Sequence, residues 1–140
     1  MVIMAVDFGY SRTGIAACDK LEMLASPVTV IFEKDFDKTL EKTAEQAAKI
    51  KPGIIVVGLP KRTDGKPGET EEKAKEFAHK LGELTGTEIA LWDERFTTVS
   101  AHSILDQTNV HGKKRKNVVD SVAAVLILEG YMNYRKNHSQ

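Results

Sequence analysis

The stretch IMAVDFGYSRTGIAAC, residues 3–18, decides how the chain folds. Ile3, Met4, Ala5 and Val6 leave no polar position, the pattern of a central strand covered on both faces. The turn-forming residues Gly9 to Arg12 follow, and residues 13–18 read as a second strand. Asp7 stands where the first strand ends. An ionised carboxylate is costly to bury without a partner, so an acid at the end of the most apolar strand is a candidate cation ligand.

The pattern extends outward from this pair, whose first strand covers residues 2–8. Asp19-Lys20 makes a second turn into a third strand around residues 27–32, which completes an antiparallel meander. From Asp35 the period changes. Phe36, Leu40, Ala44, Ala47 and Ala48 fall on one helical stripe of about four turns, ended by Pro52-Gly53. IIVVGLP, residues 54–60, is a second wholly apolar strand, and the turn-rich KRTDGKPGE after it predicts a loop at its carboxyl end. Ala74, Phe77, Ala78, Leu81 and Leu84 mark a second amphipathic helix with Gly86 as terminator, and residues 88–92 a fifth strand. A short helix is expected to start near Thr97 or Thr98, and a long one to run from Val118 to about Tyr134. The order β-β-β-α-β-α-β-α-α predicts an α/β fold, a mixed five-stranded sheet flanked by helices, in one domain over residues 1–140.

Composition narrows the function classes. Twenty Lys plus Arg balance twenty Asp plus Glu, so no global field draws the protein to nucleic acid or anionic lipid, and any such affinity is local. Cys18 is the only cysteine, which excludes an intrachain disulfide framework and a multi-cysteine zinc site and fits a reducing compartment. The apolar start is interrupted by Asp7 and resembles neither a signal peptide nor a membrane span, so a soluble, cytoplasmic protein with no membrane partner is expected.

Three places set carboxylates against apolar elements: Asp7, the pair Asp93-Glu94 at the end of the fifth strand, and Asp120 near the start of the last helix. Ligands collect at the carboxyl ends of strands in open α/β sheets. Neighbouring anions raise one another's pKa unless a cation lies between them. Hard divalent ions meet that need, and a pair of them can activate a water and stabilise the leaving oxygen of a phosphodiester. The metal-ligand candidates are therefore Asp7, Asp93, Glu94 and Asp120, and the ion Mg2+ or Mn2+. Structural readings stand beside these: Asp120 as a helix-start acid, and Asp93 or Glu94 paired with Arg95 or Arg12.

GKKRK, residues 112–116, is expected as a loop before the last helix, and Arg12, Lys61 and Arg62 as loop residues on the same face. Clusters of this kind contact phosphates without specifying sequence. The glycines of DFGYSRTG do not have dinucleotide-fingerprint spacing. His79, His102, His111 and His138 lack close metal-ligand spacing and read as surface residues. Trp92 beside the acids reads as core more readily than as a base-stacking ring.

DFGYSRTGIA, IIVVGLPKRTDGKPGE, DERFTTVSA and KKRKNVVDSVAAVLILEGYM resemble, in order and over nearly the whole chain, the YqgF/RuvX family of Holliday junction resolvase-like nucleases. The resemblance implies an RNase H-like fold, divalent-metal phosphodiester cleavage, and maturation of the 5′ end of precursor small-subunit (16S) ribosomal RNA. Asp7 matches the family's first-strand acid, Asp93 and Glu94 its DER motif, Asp120 its last-helix acid and Arg12 the arginine of its first motif. Strand alternation turns Asp93 and Glu94 to opposite sides, and the longer reach of Glu94 favours it.

The chain departs from the family at Lys61-Arg62-Thr63, Phe96, Ser100 and Thr13, none of which removes a proposed ligand. Catalysis is thus expected from Asp7, Glu94 and Asp120, and substrate binding from Arg12, Lys61, Arg62, Arg95, Thr97, Thr98, Lys113, Lys114 and Arg115. Thr97 and Thr98 would cap a helix or bind a phosphate at its start. Expected partners are structured RNA in precursor ribosomal particles or four-way DNA junctions, for a monomer or weak homodimer. A nucleic-acid-binding ribosome-assembly factor that cuts little is the non-enzymatic alternative.

Overall fold

The computed structural model describes residues 1–60, 68–94 and 112–138, with side chains of the last helix described over 122–137. Strands β1 (Ile3–Asp7), β2 (Arg12–Cys18) and β3 (Ala25–Phe32) form the meander. Helix α1 (Phe36–Ile50), strand β4 (Ile54–Leu59), helix α2 (Glu69–Thr85), strand β5 (Glu88–Asp93) and helix α3 (Gly112–His138) complete the described elements. The five strands lie in the order β3-β2-β1-β4-β5. β1 is antiparallel to β2, and β2 to β3, whereas β4 runs parallel to both β1 and β5.

This order explains the two unbroken apolar runs. β1 and β4 sit inside the sheet, and every residue of β4 is buried. Alternation sends Met4, Val6, Ile55 and Val57 to one face, where they pack with Leu40, Phe77 and Leu81 of α1 and α2. Ile3, Ala5, Ile54 and Val56 face the opposite way, against Ala124, Ile127 and Leu128 of α3. On the first face Phe8 stacks on Phe77, with centroids 4.6 Å apart, and Phe36 meets Phe77 edge-on.

Local signals set the helix ends. Asp35 caps α1 by accepting a hydrogen bond from the Lys38 amide at 2.9 Å. Gly86 ends α2 at φ 68°, a left-handed conformation that costs other residues more. Cys18 is buried, its Sγ accepting from the Ile3 amide, and burial pushes the thiol pKa up, as for a packed, unreactive thiol. No helix among the described residues is long and apolar enough to cross a membrane.

Two expectations change. Helix α3 begins at Gly112 rather than Val118, so the backbone of the basic run is helical and not a preceding loop. Lys, Arg and Asn tolerate a helix well enough to open one, which an apolar stripe cannot reveal. Leu84 is 57 % exposed and Ala48 is also exposed, because each helix is covered on only one side. The short helix expected near Thr97 lies outside the described residues.

At the far end of α3, Arg135 donates through Nε to Glu22 Oε1 at 3.0 Å and ties the helix to the β2–β3 turn. That bond, opposed by burial, holds the Glu22 carboxyl below its usual pKa. A depressed carboxylate contributes stability above its unfolded pKa and loses it as pH falls through the folded value. Arg135→Ala should therefore cost about 0.5 kcal/mol at pH 7 for a pair this open to solvent. In urea unfolding, the difference between variant and wild type should shrink as the pH drops below the unfolded glutamate value.

Candidate active site

The three parallel strands finish at one edge, with Asp7 closing β1, Leu59 closing β4 and Asp93 closing β5. In the register Val6 pairs with Val57, and Gly58 with Trp92. Asp7 follows Val6 and therefore shares the α3 face with Gly58. Glu94 comes one residue after β5, and β4 lies between it and Asp7.

Gly58 makes the crossing possible. A Cβ there would lie 2.6 Å from Ile127 Cδ1, 2.9 Å from Glu94 Cγ and 3.0 Å from Glu94 Cδ, so a side chain at 58 would force both neighbours to shift. The Glu94 side chain thus occupies the space a side chain at 58 would fill, beneath α3. Its carboxyl reaches Asp7 and forms a hydrogen bond with it. A glycine inside an apolar strand commonly marks such a close approach. Gly58 carries no charge to mark it, and its place inside the apolar run IIVVGLP is the one signal the sequence holds.

Burial is the main cause that pushes the Glu94 pKa up, and the Asp93 charge acts in the same direction, while the hydrogen bond with Asp7 opposes them. Two carboxyls in hydrogen-bond contact must hold a proton between them or share a cation. All donors in this set are carboxylate oxygens, which suits a hard divalent ion. The pair fits such a group, although no cluster of three or more acids that could hold a metal forms among the described residues.

Asp93 pairs in register with Leu59, which belongs to the α1–α2 face, so the strand directs Asp93 away from the side where Asp7 and Glu94 meet. Arg12 opens β2 on the acid-bearing face, two residues beyond Gly14, the partner of Asp7. Position 120 lies on the α3 backbone seven residues before Ile127, about two turns nearer the strand ends. The side chains of Asp120, Lys113, Lys114 and Arg115 lie outside the described residues, as do Lys61, Arg62, Arg95, Thr97 and Thr98. Trp92 packs on α3, edge-on to Tyr131 at 6.4 Å and above Gly130, a partly buried ring set against the core. His79 is exposed beside Glu83.

A family model described as "RuvX: Holliday junction resolvase" matches residues 1–134. A protein of Halothermothrix orenii named "Putative pre-16S rRNA nuclease" is 42% identical over 96% of each chain. One of Agathobacter rectalis with the same name is 39% identical over 98% of each. Among solved structures, Thermus thermophilus RuvC in complex with a Holliday junction substrate superposes with a TM-score of 0.60 at 13% identity, covering 94% of this chain and 96% of that one. The fowlpox virus resolvase bound to junction DNA superposes with a TM-score of 0.57 at 16% identity, over 96% and 98%. These likenesses establish the RNase H-like fold of the resolvases.

Gly58→Ala should cost about 1–3 kcal/mol by overpacking. Ile127→Val removes the nearer of the two clashing groups, so the double variant should be more stable than the sum of the single effects. Denaturant unfolding of the four proteins measures this coupling, and strict additivity would show that Gly58 and Ile127 do not press on one another.

Proposed function

The chain belongs to the RuvX family, whose model spans residues 1–134, and from that premise we propose a divalent-metal-dependent nuclease that matures the 5′ end of precursor 16S ribosomal RNA. The observation that carries the reading is the hydrogen-bonded contact of Asp7 and Glu94 across Gly58. The substrate is suggested by the names of relatives covering nearly the whole chain.

In this reading Asp7, Glu94 and Asp120 would hold Mg2+ or Mn2+, and Asp93 adds negative potential from the other side of the strand. Two such ions, when bound, supply Lewis acidity at the attacking water and at the leaving oxygen. The residues of the chain do the rest. Burial keeps the Asp7–Glu94 oxygens in an environment where a divalent charge is more strongly attracted than in water. Arg12 on the same face, with Lys113, Lys114 and Arg115 near the start of α3, binds backbone phosphates. Lys61, Arg62, Arg95, Thr97 and Thr98 belong to segments adjoining the strand ends and extend that surface. The partner is structured RNA in a precursor ribosomal particle, and the buried free thiol of Cys18 fits a cytoplasmic setting.

The family description favours a second reading, cleavage of four-way DNA junctions. The test offers a small-subunit RNA precursor and a four-way junction to wild type, Asp7→Asn and Glu94→Gln, with Mg2+ or Mn2+. RNA cleavage lost in both variants is the expected result. Their unfolding midpoints should equal or exceed that of wild type, because each change removes like charge from a crowded site. Junction cleavage alone moves the assignment to resolution, and full RNA cleavage by Asp7→Asn overturns the metal site. If wild type cuts neither substrate but binds RNA, the assembly-factor alternative replaces the nuclease.

A further inference from the structure

We propose that Phe32 is a base-stacking platform, so that the substrate enters with an unstacked, single-stranded nucleotide beside the phosphate to be cut. This inference rests on the nuclease reading for the position of that phosphate.

The ladder places Phe32 on the working face. Asp7 pairs with Gly14 and Gly14 with Val30, which puts these three on one face of the sheet. Arg12 and its cross-strand partner Phe32 lie two residues further along the same ladder and share that face. The bulge between Ile15 and Ala16 falls on the other side of this region and leaves the parity intact. The pairing is held to its end by the Glu33 amide, which donates to the Ser11 carbonyl at 3.1 Å.

One row therefore runs across three strands and the end of a fourth: the acid pair, glycine 14, the cation Arg12 and the aromatic Phe32. From the strand spacing and rise, Asp7 and Phe32 stand about 12 Å apart, within reach of the nucleotides next to a phosphate held at the acids. Gly14 leaves the middle of the row low, a path for the sugar-phosphate backbone.

Phe32 is 57% exposed, although it ends a strand whose preceding residue, Ile31, is in the core. A phenylalanine at such a position adds little to the fold. Every base has a flat face that an aromatic ring can cover, whereas a continuous duplex keeps its bases stacked on one another. A cation next to an exposed aromatic ring is the combination that binds single strands. Leu21, Met23 and Leu24 are as exposed but lie in the turn at the other end of the sheet, with no acid pair on their face.

The test measures binding of a fluorescent single-stranded RNA oligonucleotide, and of a blunt RNA duplex, to the full chain at low salt with EDTA, so that no cleavage intervenes. Phe32→Ala should weaken single-strand binding about tenfold or more, the loss typical of one stacked base. Phe32→Tyr should stay close to wild type, Leu24→Ala should have no effect, and duplex binding should be unchanged by all three. A 2-aminopurine in the oligonucleotide should be quenched by wild type and by Phe32→Tyr, but not by Phe32→Ala. The proposal is overturned if Phe32→Ala binds single strands as wild type does, if it loses duplex binding equally, or if wild type prefers the duplex. Asp7→Asn separates this from the nuclease reading: continued cleavage by that variant removes the metal site but leaves a Phe32-dependent binding result standing.

Discussion

The contact on which the site depends is made across an empty position. Glu94 extends from the end of β5 over Gly58 to Asp7 at the end of β1, and α3 closes above through Ile127. Any side chain at 58 would occupy the path. The cost of this arrangement is electrostatic, since two carboxyls are held together where water screens them poorly, with Asp93 adjacent. Natural folds tolerate such a local conflict where chemistry uses it.

The two faces of the sheet divide the work. The α1–α2 face holds the larger aromatic packing, with Phe8, Phe36 and Phe77 in mutual contact, and carries none of the acid pair. The α3 face is built from smaller residues near the sheet, including Ala5, Ala16 and Ala124, and these let the helix lie close. Close approach brings Ile127 onto Gly58 and Gly130 onto Trp92. The same helix carries position 120 towards the strand ends and Arg135 towards the opposite turn, so one rigid element spans the site and an anchor remote from it.

Much of this was legible in the chain. The unbroken runs at Ile3–Val6 and in β4 announced two interior strands because a strand buried on both sides can have no polar face. Asp35 and Gly86 announced helix ends because capping and left-handed backbone restrict residue choice locally. Asp7 and the Asp93-Glu94 pair stood out because acids at the ends of such strands are costly without a purpose. The start of α3 is not legible in the same way, since its basic first turns have no apolar period to mark them.

The sequence by itself determined the class of fold and the family, because each is written in local pattern or in ordered motifs. Only the tertiary structure decided which acid meets which. That Glu94 and not Asp93 faces Asp7 follows from the β4–β5 register, and register comes from pairing between segments distant in the chain. The role of Gly58 and the shared face of Arg12 and Phe32 have the same origin. Faces alternate along each strand, but only the alignment of strand on strand fixes which residues stand side by side.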